Sequence, residues 1–417
     1  MIRGVSLLIA LSGAALVATT APAHAQMFSS EAISVTGDAR IVAADGETSW
    51  LEGGLGKTRF DGTDSRELQA EPRLAEADLI WQPRFSWALS GTVVAIAQQG
   101  QEHAVDLSEA VVTFKPMVSG PAKLSVRAGL YWPAISLEHS GAAWVVTDTI
   151  TPSAVNSWVG EEIKTGGVEA TVTAPIGGQR IAATFGMFGL NDTSGTLLAF
   201  RGWALHDEKA TAFGTQPLPP LSGMAAAVQA PATRPMIEID NRPGWYAKLG
   251  WSPTSSLELQ AFHYDNRGDP EAVTDTLQWG WRTRFDNLGA VFTAGPLTLK
   301  AQAMGGRTEM GFPMAGRIWV DTKFRAAYLL ETWRFARGSV SARLDAFGTR
   351  GRGSMLGALS AEDGWAVTLA ARREIGRHLS LLAELLHVDS RRDYRAALGL
   401  AARQRQNQFQ LALRVHL

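Results

Sequence analysis

The chain has 417 residues, with 39 Lys+Arg, 40 Asp+Glu, 14 Trp and no cysteine. A net charge of −1 argues against a nucleic-acid partner, which would require a basic surplus. The absence of cysteine excludes disulfide scaffolds, thiolate metal sites and thiol nucleophiles. Charged residues make up 19% of the chain, below the roughly 25% of an average soluble domain.

The first 25 residues predict a signal peptide. Arg3 precedes an apolar run over residues 5–19, and Ala23-His24-Ala25 supplies a small-residue cleavage site. A transmembrane anchor is the alternative, but the run is short and no basic stop-transfer flank follows it. Later in the chain no stretch reaches the roughly 18 consecutive apolar residues of a membrane-spanning helix. Export leaves two classes open, a soluble periplasmic protein and an outer-membrane barrel, whose strands need only about 9–11 residues each.

From there to its end, the chain alternates between apolar and polar residues with a period of two. In one segment, Leu257 and Leu259 alternate with Glu258 and Gln260. The same period recurs in segments 124–132, 245–251, 340–346, 365–371 and 407–417. This period predicts β-strands with one apolar face and one polar face, so the predicted fold class is all-β.

The breaks between the predicted strands alternate between short and long. Seven tight turns are predicted at 82–84, 116–120, 175–179, 252–255, 295–296, 336–338 and 375–377. Eight longer polar connections are predicted near 61–68, 98–104, 133–162, 191–242, 266–275, 306–316, 348–363 and 389–404. Together they join 16 antiparallel strands into an up-and-down meander.

We therefore predict a transmembrane up-and-down antiparallel β-barrel over residues 47–417, with short turns at one end and long loops at the other. The N-terminal segment 26–46 is left open. It could add a strand at 33–43 before a turn at Asp45-Gly46, which would change the strand count from 16 to as many as 18.

A soluble β-sandwich is the alternative fold. The face opposite the apolar one carries many charges, including Glu109, Arg127, Glu169, Lys248, Arg282, Arg284, Arg343, Glu384 and Arg414. A sandwich would have to bury these charges in a dry core at a prohibitive cost, whereas a water-filled lumen accepts them.

Seven tryptophans lie at or near the ends of predicted strands: Trp81, Trp87, Trp132, Trp245, Trp251, Trp333 and Trp365. Rings at these positions are typical of the aromatic girdles of membrane barrels. Ordinary core tryptophan is the alternative, but it would lie in the middle of strands more often.

The signal peptide, the alternating strands and a terminal strand at 407–417 make the sequence resemble the Gram-negative outer-membrane porins. The resemblance covers residues 47–417 and is one of pattern. It implies an outer-membrane location, contact with membrane lipid, a homotrimer, and folding by the barrel assembly machinery. Family members usually end in an aromatic residue that assists assembly, whereas this chain ends in Leu417.

In porins of 16 strands the third outer loop typically folds into the lumen, and the third long connection here is 133–162. The resemblance therefore makes its charged residues candidates for a pore constriction: Glu138, His139, Asp148, Glu161 and Glu162. Basic residues of later strands would face them: Arg282, Arg284, Lys323, Arg325, Arg343 and Arg372. An acidic loop opposite a basic wall would create a transverse field that selects solutes. For any single residue, an ordinary solvated charge is the alternative.

Charge is unevenly distributed along the chain. Residues 27–240 hold 14 Lys+Arg and 24 Asp+Glu, a net of −10, whereas residues 241–417 hold 24 and 16, a net of +8. A closed barrel would place these two halves opposite each other. The charges predicted to point inward lean basic, so we expect a mild preference for anions. The Pro-rich connection 191–242 either covers the mouth of the barrel or projects from it.

Known catalytic motifs are missing from the sequence. Neither G-x-S-x-G nor H-E-x-x-H occurs, and Gly56-Lys57-Thr58 lacks the first glycine of a P-loop. We therefore predict no enzymatic activity, no cofactor and no metal site. The leading function is a porin for passive diffusion of small polar or charged solutes and ions. A plugged structural or surface-binding barrel and a membrane-embedded hydrolase are the alternatives, since Ser, His and acidic residues can meet in space without a motif.

Overall fold

The computed structural model describes residues 31–61, 69–314, 316–351 and 361–417. The predicted signal peptide, residues 1–25, and most of the predicted connection 61–68 lie outside the described residues. Sixteen long strands are present: β1 Ile33–Ala44, β2 Gln69–Trp81, β3 Leu89–Gln98, β4 Asp106–Phe114, β5 Lys123–Tyr131, β8 Thr165–Ile176, β9 Gln179–Gly189, β12 Gly244–Thr254, β13 Leu257–Asp265, β14 Arg282–Ala294, β15 Leu297–Met314, β16 Arg317–Phe335, β17 Gly338–Gly351, β18 Glu362–Glu374, β19 Leu379–Arg392 and β20 Arg403–His416. Four strands of two residues lie in the connections: β6 His139–Ser140, β7 Val145–Val146, β10 Gln216–Pro217 and β11 Ala232–Thr233.

The helices of the described chain are short and all lie in connections. They are α1 Ala154–Glu162, α2 Thr196–Phe200, α3 Gly223–Val228, α4 Tyr394–Ala397 and a 3-10 helix at Trp50–Glu52. Among the described residues, no helix combines the length and the apolar character needed to cross a bilayer.

The sixteen long strands form one closed antiparallel barrel in chain order. Each strand pairs with its neighbour in sequence, and β1 closes the barrel against β20, from Thr36 opposite His416 to Ala44 opposite Gln408. Closure leaves no strand edge without a partner. The predicted up-and-down antiparallel β-barrel with 16 strands is confirmed.

Connections between consecutive barrel strands lie at two ends of the barrel. The short-turn end contains 82–88, 115–122, 177–178, 255–256, 295–296, 336–337 and 375–378. The long-loop end contains 99–105, 132–164, 190–243, 266–281 and 393–402, and the described residues of three further connections, 45–61, 316 and 361. One end of the barrel therefore carries short turns and the other carries the long loops, as the spacing of the turns predicts.

Two segments differ from the prediction. The barrel begins at Ile33 rather than Glu47, because the segment left open at 33–43 is the first barrel strand and residues 47–60 form a loop. The predicted long connection 306–316 is mostly strand, since β15 and β16 have 18 and 19 residues and meet at 315–316. Polar residues suggested a loop there, but strands that extend beyond the apolar part of a barrel carry polar residues on both faces.

Residues of the barrel strands alternate between a buried inward face and an exposed outward face. In β17, Leu344 is 60% exposed while Arg343 is 1% exposed. In β20, Phe409 is 40% exposed while Gln410 is 1% exposed. Exposed outward residues form an apolar band, which includes Leu288, Leu329, Leu344, Leu369 and Leu385. Such a band matches lipid, and the polar inward face matches a lumen.

Six of the seven predicted girdle tryptophans lie at the ends of the strands or in the adjoining turns. Four lie at the short-turn end, namely Trp81, Trp87, Trp251 and Trp333, and two lie towards the long-loop end, namely Trp245 and Trp365. The prediction was wrong for Trp132. This residue is 3% exposed and stacks on Trp144 in the lumen, with 4.6 Å between ring centroids. It follows the last residue of β5, where the chain turns inward, so the strand alternation no longer applies.

Leu344→Arg tests the orientation of the outward face. A guanidinium within the apolar band should lower the free energy of unfolding in lipid vesicles by about 2–4 kcal/mol. Leu344→Met keeps volume and polarity and should lower it by less than about 1.5 kcal/mol. Denaturant titrations followed by tryptophan fluorescence measure both values. Equal losses for the two variants would contradict the outward placement of this side chain.

Candidate functional site

The lumen is the candidate site because three connections from the long-loop end fold into it. We call them the first inner loop, residues 45–61, the third inner loop, residues 132–164, and the fourth inner loop, residues 190–211. Residues 148–165 and 191–206 are buried without exception. The interior of the barrel is therefore largely occupied by chain.

The third inner loop is organised by helix α1. Ser153 precedes the helix, and its hydroxyl accepts a hydrogen bond from the backbone N–H of Asn156 at 3.2 Å. Such an N-cap satisfies an N–H group that the helix itself leaves without a partner. The helix then packs against the inward faces of β15, β16 and β17, and all nine of its residues are buried.

Arg343 of β17 ties the third inner loop to the wall. Its guanidinium lies 3.2 Å from the Glu138 carboxylate and 2.8 Å from that of Asp345. It also donates to the carbonyls of Thr151 and Pro152 at 2.6 and 2.9 Å. Buried charges are tolerated only when partners and hydrogen bonds replace their lost hydration, and this set provides both.

Three further contacts hold the same loop at the short-turn side. Glu384 of β19 accepts a hydrogen bond from the N–H of Ile150 at 2.6 Å. Asp148 lies 2.8 Å from Lys300 and 2.6 Å from Arg334. The acidic residue Asp148 thus meets basic wall residues, but they are not the ones that were named from the sequence.

Glu161 and Glu162 face the fourth inner loop instead of the wall. Glu161 pairs with Arg201, and its carboxylate lies 2.7 Å from His206 Nε2. Burial raises the pKa of Glu161, but the charges of Arg201 and His206 outweigh it and the pKa is lowered. Glu162 accepts the N–H of Leu197 at 2.9 Å, and burial together with the neighbouring Glu161 charge raises its pKa to about 7.

His139 forms part of an aromatic stack. Its ring lies 3.5 Å from the Trp144 ring between centroids, and Trp144 stacks in turn on Trp132. The Nδ1 atom lies 2.8 Å from the Ser136 hydroxyl. Burial and the charge of Lys209 lower the pKa of His139, so the ring is neutral at neutral pH.

The basic residues predicted for the wall divide between the two faces. Arg343 and Arg372 point into the lumen, where Arg372 contacts Glu374 at 2.7 Å and the carbonyl of Thr147 at 3.3 Å. The other four point outward, so the prediction was wrong for Arg282, Arg284, Lys323 and Arg325.

The alternation of β14 shows why those four were misplaced. Thr283, Phe285 and Asn287 are buried inward, and the Thr283 hydroxyl donates to the carbonyl of Ser194 in the fourth inner loop. The residues between them must point outward. The sequence prediction places these four basic residues in the lumen because it takes the opposite face of each strand to contact lipid along its whole length. Beyond the apolar band the outward face meets water or lipid head groups, where charge costs little.

The fourth inner loop traverses the lumen, which was not predicted from the sequence. Its residues 203–211, here called the crossing segment, contact several walls in turn. The N–H of Trp203 donates to Glu362 of β18 at 3.1 Å. Asp207 then pairs with Arg40 of β1, and Lys209 lies 2.6 Å from Glu76 of β2. The segment is therefore held at its first residue by a buried hydrogen bond to a carboxylate, and at Asp207 and Lys209 by ion pairs with the wall.

The first inner loop runs beside the crossing segment and completes its pairing. The carbonyl of Lys57 accepts the N–H of Leu205 at 2.8 Å, and Lys57 also pairs with the same wall carboxylate that binds Trp203. Arg59 lies 3.0 Å from both Asp207 and Glu208. Burial raises the pKa of Glu208 to about 7, whereas Arg40 and Arg59 outweigh burial and lower that of Asp207.

A sequence signal for the crossing segment does exist. Asp207, Glu208 and Lys209 are three consecutive charges within a connection otherwise rich in Ala and Pro. In the barrel wall, the inward carboxylates Asp38 and Glu76 lie directly opposite each other on β1 and β2. Like charges in such a pair destabilise a sheet, so they require cations from elsewhere. Only the three-dimensional arrangement shows that the fourth inner loop supplies one of these cations, Lys209.

A cavity of about 350 Å³ opens from the short-turn end and reaches the crossing segment. Asp207 and Lys209 bound its inner part. Arg372, Arg377 and Arg414 line it towards the mouth. The cavity thus leads from the short-turn end of the barrel to the buried ion pairs.

No protein-family model matches the chain, and no curated protein matches it. Solved structures do match. The outer membrane channel DcaP of Acinetobacter baumannii has a TM-score of 0.56 and 9% identity, over 93% of this chain and 99% of that one. An anion-selective porin from Comamonas acidovorans has a TM-score of 0.53 and 11% identity, over 92% of this chain and 98% of that one. A loop L8 deletion mutant of OmpT, an outer membrane protein of Vibrio cholerae, has a TM-score of 0.52 and 9% identity, over 92% and 99%.

The barrel has the fold of the outer-membrane porins. Identities of 9–11% show this shared fold alone. The contacts of the crossing segment and of Arg343 are therefore described for this porin-fold chain only.

Arg343→Met tests the anchor of the third inner loop. Removing the guanidinium leaves Glu138 and Asp345 buried without their cation, which should lower the free energy of unfolding by about 3–5 kcal/mol. Arg325→Met is the matched control, because its side chain is 71% exposed on the outward face of the neighbouring strand. The control should change stability by about 1 kcal/mol at most. Similar losses in denaturant titrations of the two variants would contradict the anchor.

Glu162→Gln tests the raised pKa of this buried carboxyl. Because the pKa rises from 4.5 to about 7, the folded chain retains the proton that the unfolded chain releases. The stability contribution is fully present below pH 4.5 and is lost as the pH rises to about 7. The wild type should therefore lose stability relative to Glu162→Gln across this window, while the exposed-loop variant Glu271→Gln should follow the wild type. Parallel pH profiles of wild type and Glu162→Gln, measured by denaturant titration, would refute the shift.

Proposed function

We propose that the chain is an outer-membrane porin that passes small polar or charged solutes by passive diffusion. The observation that carries the proposal is a closed porin-fold barrel with an apolar outward band and an inward face rich in charge. The proposal places the short-turn end in the periplasm and the long loops outside the cell. The homotrimer implied by the family resemblance remains a prediction.

The third inner loop and the crossing segment form the constriction in this proposal. Glu138 and Asp148 bring acidic groups to the basic wall at Arg343, Lys300 and Arg334. The resulting alternation of charge across a narrow lumen is the kind of arrangement that selects solutes by size and local potential. The crossing segment narrows the path further, because its ion pairs hold it across the interior.

The short-turn mouth supports a mild preference for anions. Arg372 is offset by Glu374, and Arg414 is offset by Asp38 at 2.7 Å. Arg377 has no ion pair with another described residue, so it leaves one positive charge at the mouth without an acidic partner, while the cavity as a whole is lined by five acidic and five basic residues. An unpaired positive charge at the mouth raises the local concentration of anions and favours their entry.

The burial of the fourth inner loop favours a second function, a plugged barrel whose long loops bind a partner. Residues 191–206 are all buried, so wide passage would require the crossing segment to move. Support for transport comes from the structures of similar fold, two of which are described as an outer membrane channel and an anion-selective porin. The same descriptions argue against the membrane-embedded hydrolase.

Conductance in planar bilayers distinguishes the two functions. A porin should give stepwise ohmic currents, and replacing residues 203–209 by a seven-residue Gly–Ser linker should increase the unit conductance, because the ion pairs that hold the segment across the lumen are lost. Replacing residues 223–229, which form α3 and the residue after it, by the same linker is the control and should leave the conductance unchanged.

The outcomes separate the proposals. A silent wild type together with a conducting linker variant would indicate a plugged barrel. Silence of both, with β-sheet circular dichroism intact, would rule out transport through the lumen. A reversal potential that shows clear cation preference would contradict the proposed anion selectivity while leaving transport itself in place.

A further inference from the structure

The charges that line the cavity at the short-turn end do not all pair with one another. Among the described residues, five acidic and five basic side chains line it. Eight of them form four acid–base pairs: Arg40 with Asp207, Lys209 with Glu76, Arg372 with Glu374, and Arg414 with Asp38. One acid and one base remain, Asp78 and Arg377.

Asp78 is buried in the wall of the cavity, on the inward face of β2. The residue is 2% exposed, and its Oδ2 atom accepts a hydrogen bond from the Thr36 hydroxyl at 2.6 Å. Its Oδ1 atom is also buried and has no hydrogen-bond partner among the described residues. A buried carboxylate is stable only when hydrogen bonds or cations replace its lost hydration. Asp78 is therefore an anion whose partners within the chain are incomplete.

The neighbouring cation, Lys209, does not complete the partners of Asp78. Its ammonium lies 2.6 Å from Glu76 and donates a hydrogen bond to the carbonyl of Ala143 at 2.9 Å. Glu76 and Asp78 are two residues apart on β2 and both line the cavity. One ammonium thus faces two carboxylates of one strand and contacts only one of them.

Arg377 lies at the mouth of the cavity, in the turn between β18 and β19. The residue is exposed and has no ion pair with another described residue. The other two arginines of the mouth have partners besides their carboxylates. Arg414 donates to the carbonyl of Val146 at 2.7 Å, and Arg372 donates to that of Thr147 at 3.3 Å. Among the described residues of this mouth, Arg377 is therefore the guanidinium available to an anion.

Strand pairing places Asp78 and Arg377 at the same level of the wall. Asp78 lies opposite Thr36, which lies opposite His416. The N–H of His416 donates to the carbonyl of His378, the residue after Arg377, at 2.9 Å. Neighbouring strands are about 4.8 Å apart, so three such steps give about 15 Å along the wall. Because the wall is curved and both side chains line the cavity, the direct gap between their charges is shorter than this path.

The cavity also offers an apolar surface to a ligand. Ile80, Ala142, Ala143 and Val145 line it and belong to one apolar cluster. The half-buried Trp144 lines it as well. Small apolar groups of a ligand gain free energy when they leave water for such a surface. The site therefore combines one anion, one cation and an apolar patch.

We propose that this cavity binds a linear zwitterion whose ammonium pairs with Asp78 and whose carboxylate pairs with Arg377. A simple cation would leave Arg377 without a partner, and a simple anion would leave Asp78 without one. A zwitterion supplies both charges and keeps the lining balanced. The inference deepens the proposed function by naming a solute class, and it rests on that function for the entry of solute into the lumen.

A short peptide with small apolar side chains has the required chemistry. An extended chain spans about 3.3–3.6 Å per residue, so a tripeptide extends over about 10 Å. This length suits the gap between Asp78 and Arg377, whereas the two charges of a single amino acid are too close together. A cavity of about 350 Å³ lies within the range of small-molecule sites.

Binding of tri-alanine to the full chain in dodecyl maltoside, measured by isothermal titration calorimetry, tests the proposal. Asp78→Asn keeps the size of the side chain and an acceptor for Thr36, and should weaken binding at least about tenfold, because it removes a buried charge from the contact. Arg377→Gln should weaken binding by about two- to fivefold, because pairs at an exposed mouth contribute less.

Matched control variants remove the same charges at exposed positions away from the cavity. Asp275→Asn lies in a connection of the long-loop end, and Arg337→Gln lies in another short turn. Both should bind tri-alanine within about twofold of the wild type, since solvent and salt screen charges at such distances. Equal loss of binding in Asp78→Asn and Asp275→Asn, or no loss in Asp78→Asn, would overturn the proposal.

Two modified peptides test which end of the ligand each residue binds. N-acetyl-tri-alanine lacks the ammonium and tri-alanine amide lacks the carboxylate, so both should bind the wild type more weakly than tri-alanine. Asp78→Asn should not weaken the acetylated peptide further, and Arg377→Gln should not weaken the amide further. Equal affinity of the wild type for all three peptides, or no binding of tri-alanine, would overturn the proposal. This comparison uses the wild type and therefore holds even where a variant does not fold.

The result is separable from the function proposed above. A wild type that binds tri-alanine but conducts nothing in planar bilayers would remove the transport proposal and leave the zwitterion site. A conducting wild type that does not bind tri-alanine, or whose Asp78→Asn variant binds it normally, would remove the zwitterion site alone.

Discussion

Pairing of buried charge is the interaction on which the interior of this barrel depends. The inward face carries Arg40, Glu76, Arg343 and Glu362, each of them at most 8% exposed. Such groups are stable inside a protein only when partners replace the water they have lost. The inner loops supply those partners, through Asp207, Lys209, Glu138 and Lys57. The wall and the loops are therefore energetically inseparable, and neither would be stable in its observed arrangement without the other.

The outward face follows a different constraint, set by the surroundings at each height. Within the apolar band the exposed side chains are leucines, alanines and aromatic residues, which lipid accepts without cost. Near the long-loop end the same face carries Arg284, Lys323 and Arg350, because head groups and water accept charge. One strand such as β14 thus passes from a charged to an apolar outward face, while its inward residues Thr283 and Phe285 contact the inner loops. The same period of two along a strand therefore places apolar residues against lipid in the band, and charged residues against head groups and water near the long-loop end.

The sequence was sufficient to predict the barrel but only part of the lumen. Alternation and turn spacing depend on local residues, so the strand count, the closed fold and the outward positions of Leu259 and Phe409 could be predicted. The sequence could not show whether Arg282 and Lys323 point into the lumen or outward. Alternation assigns residues to two faces, but it does not show whether the outward face meets lipid or water at a given position along the barrel axis. The crossing segment was missed for a different reason: its contacts join residues more than 100 positions apart, such as Lys209 and Glu76. The sequence predicted that acidic residues of the loop, including Glu138, would face basic residues of the wall, including Arg343. Only the structure shows that these two residues form a pair.

Hydrogen–deuterium exchange of the folded barrel in detergent is the most direct test that buried ion pairs hold the crossing segment in the lumen. Residues 203–211 should exchange as slowly as the neighbouring barrel strands, and Lys209→Met should accelerate exchange in this segment without affecting β14–β17. Slow exchange in the wild type would show that the segment is held inside the barrel. Exchange as fast as that of the exposed residues around α3 would contradict the account.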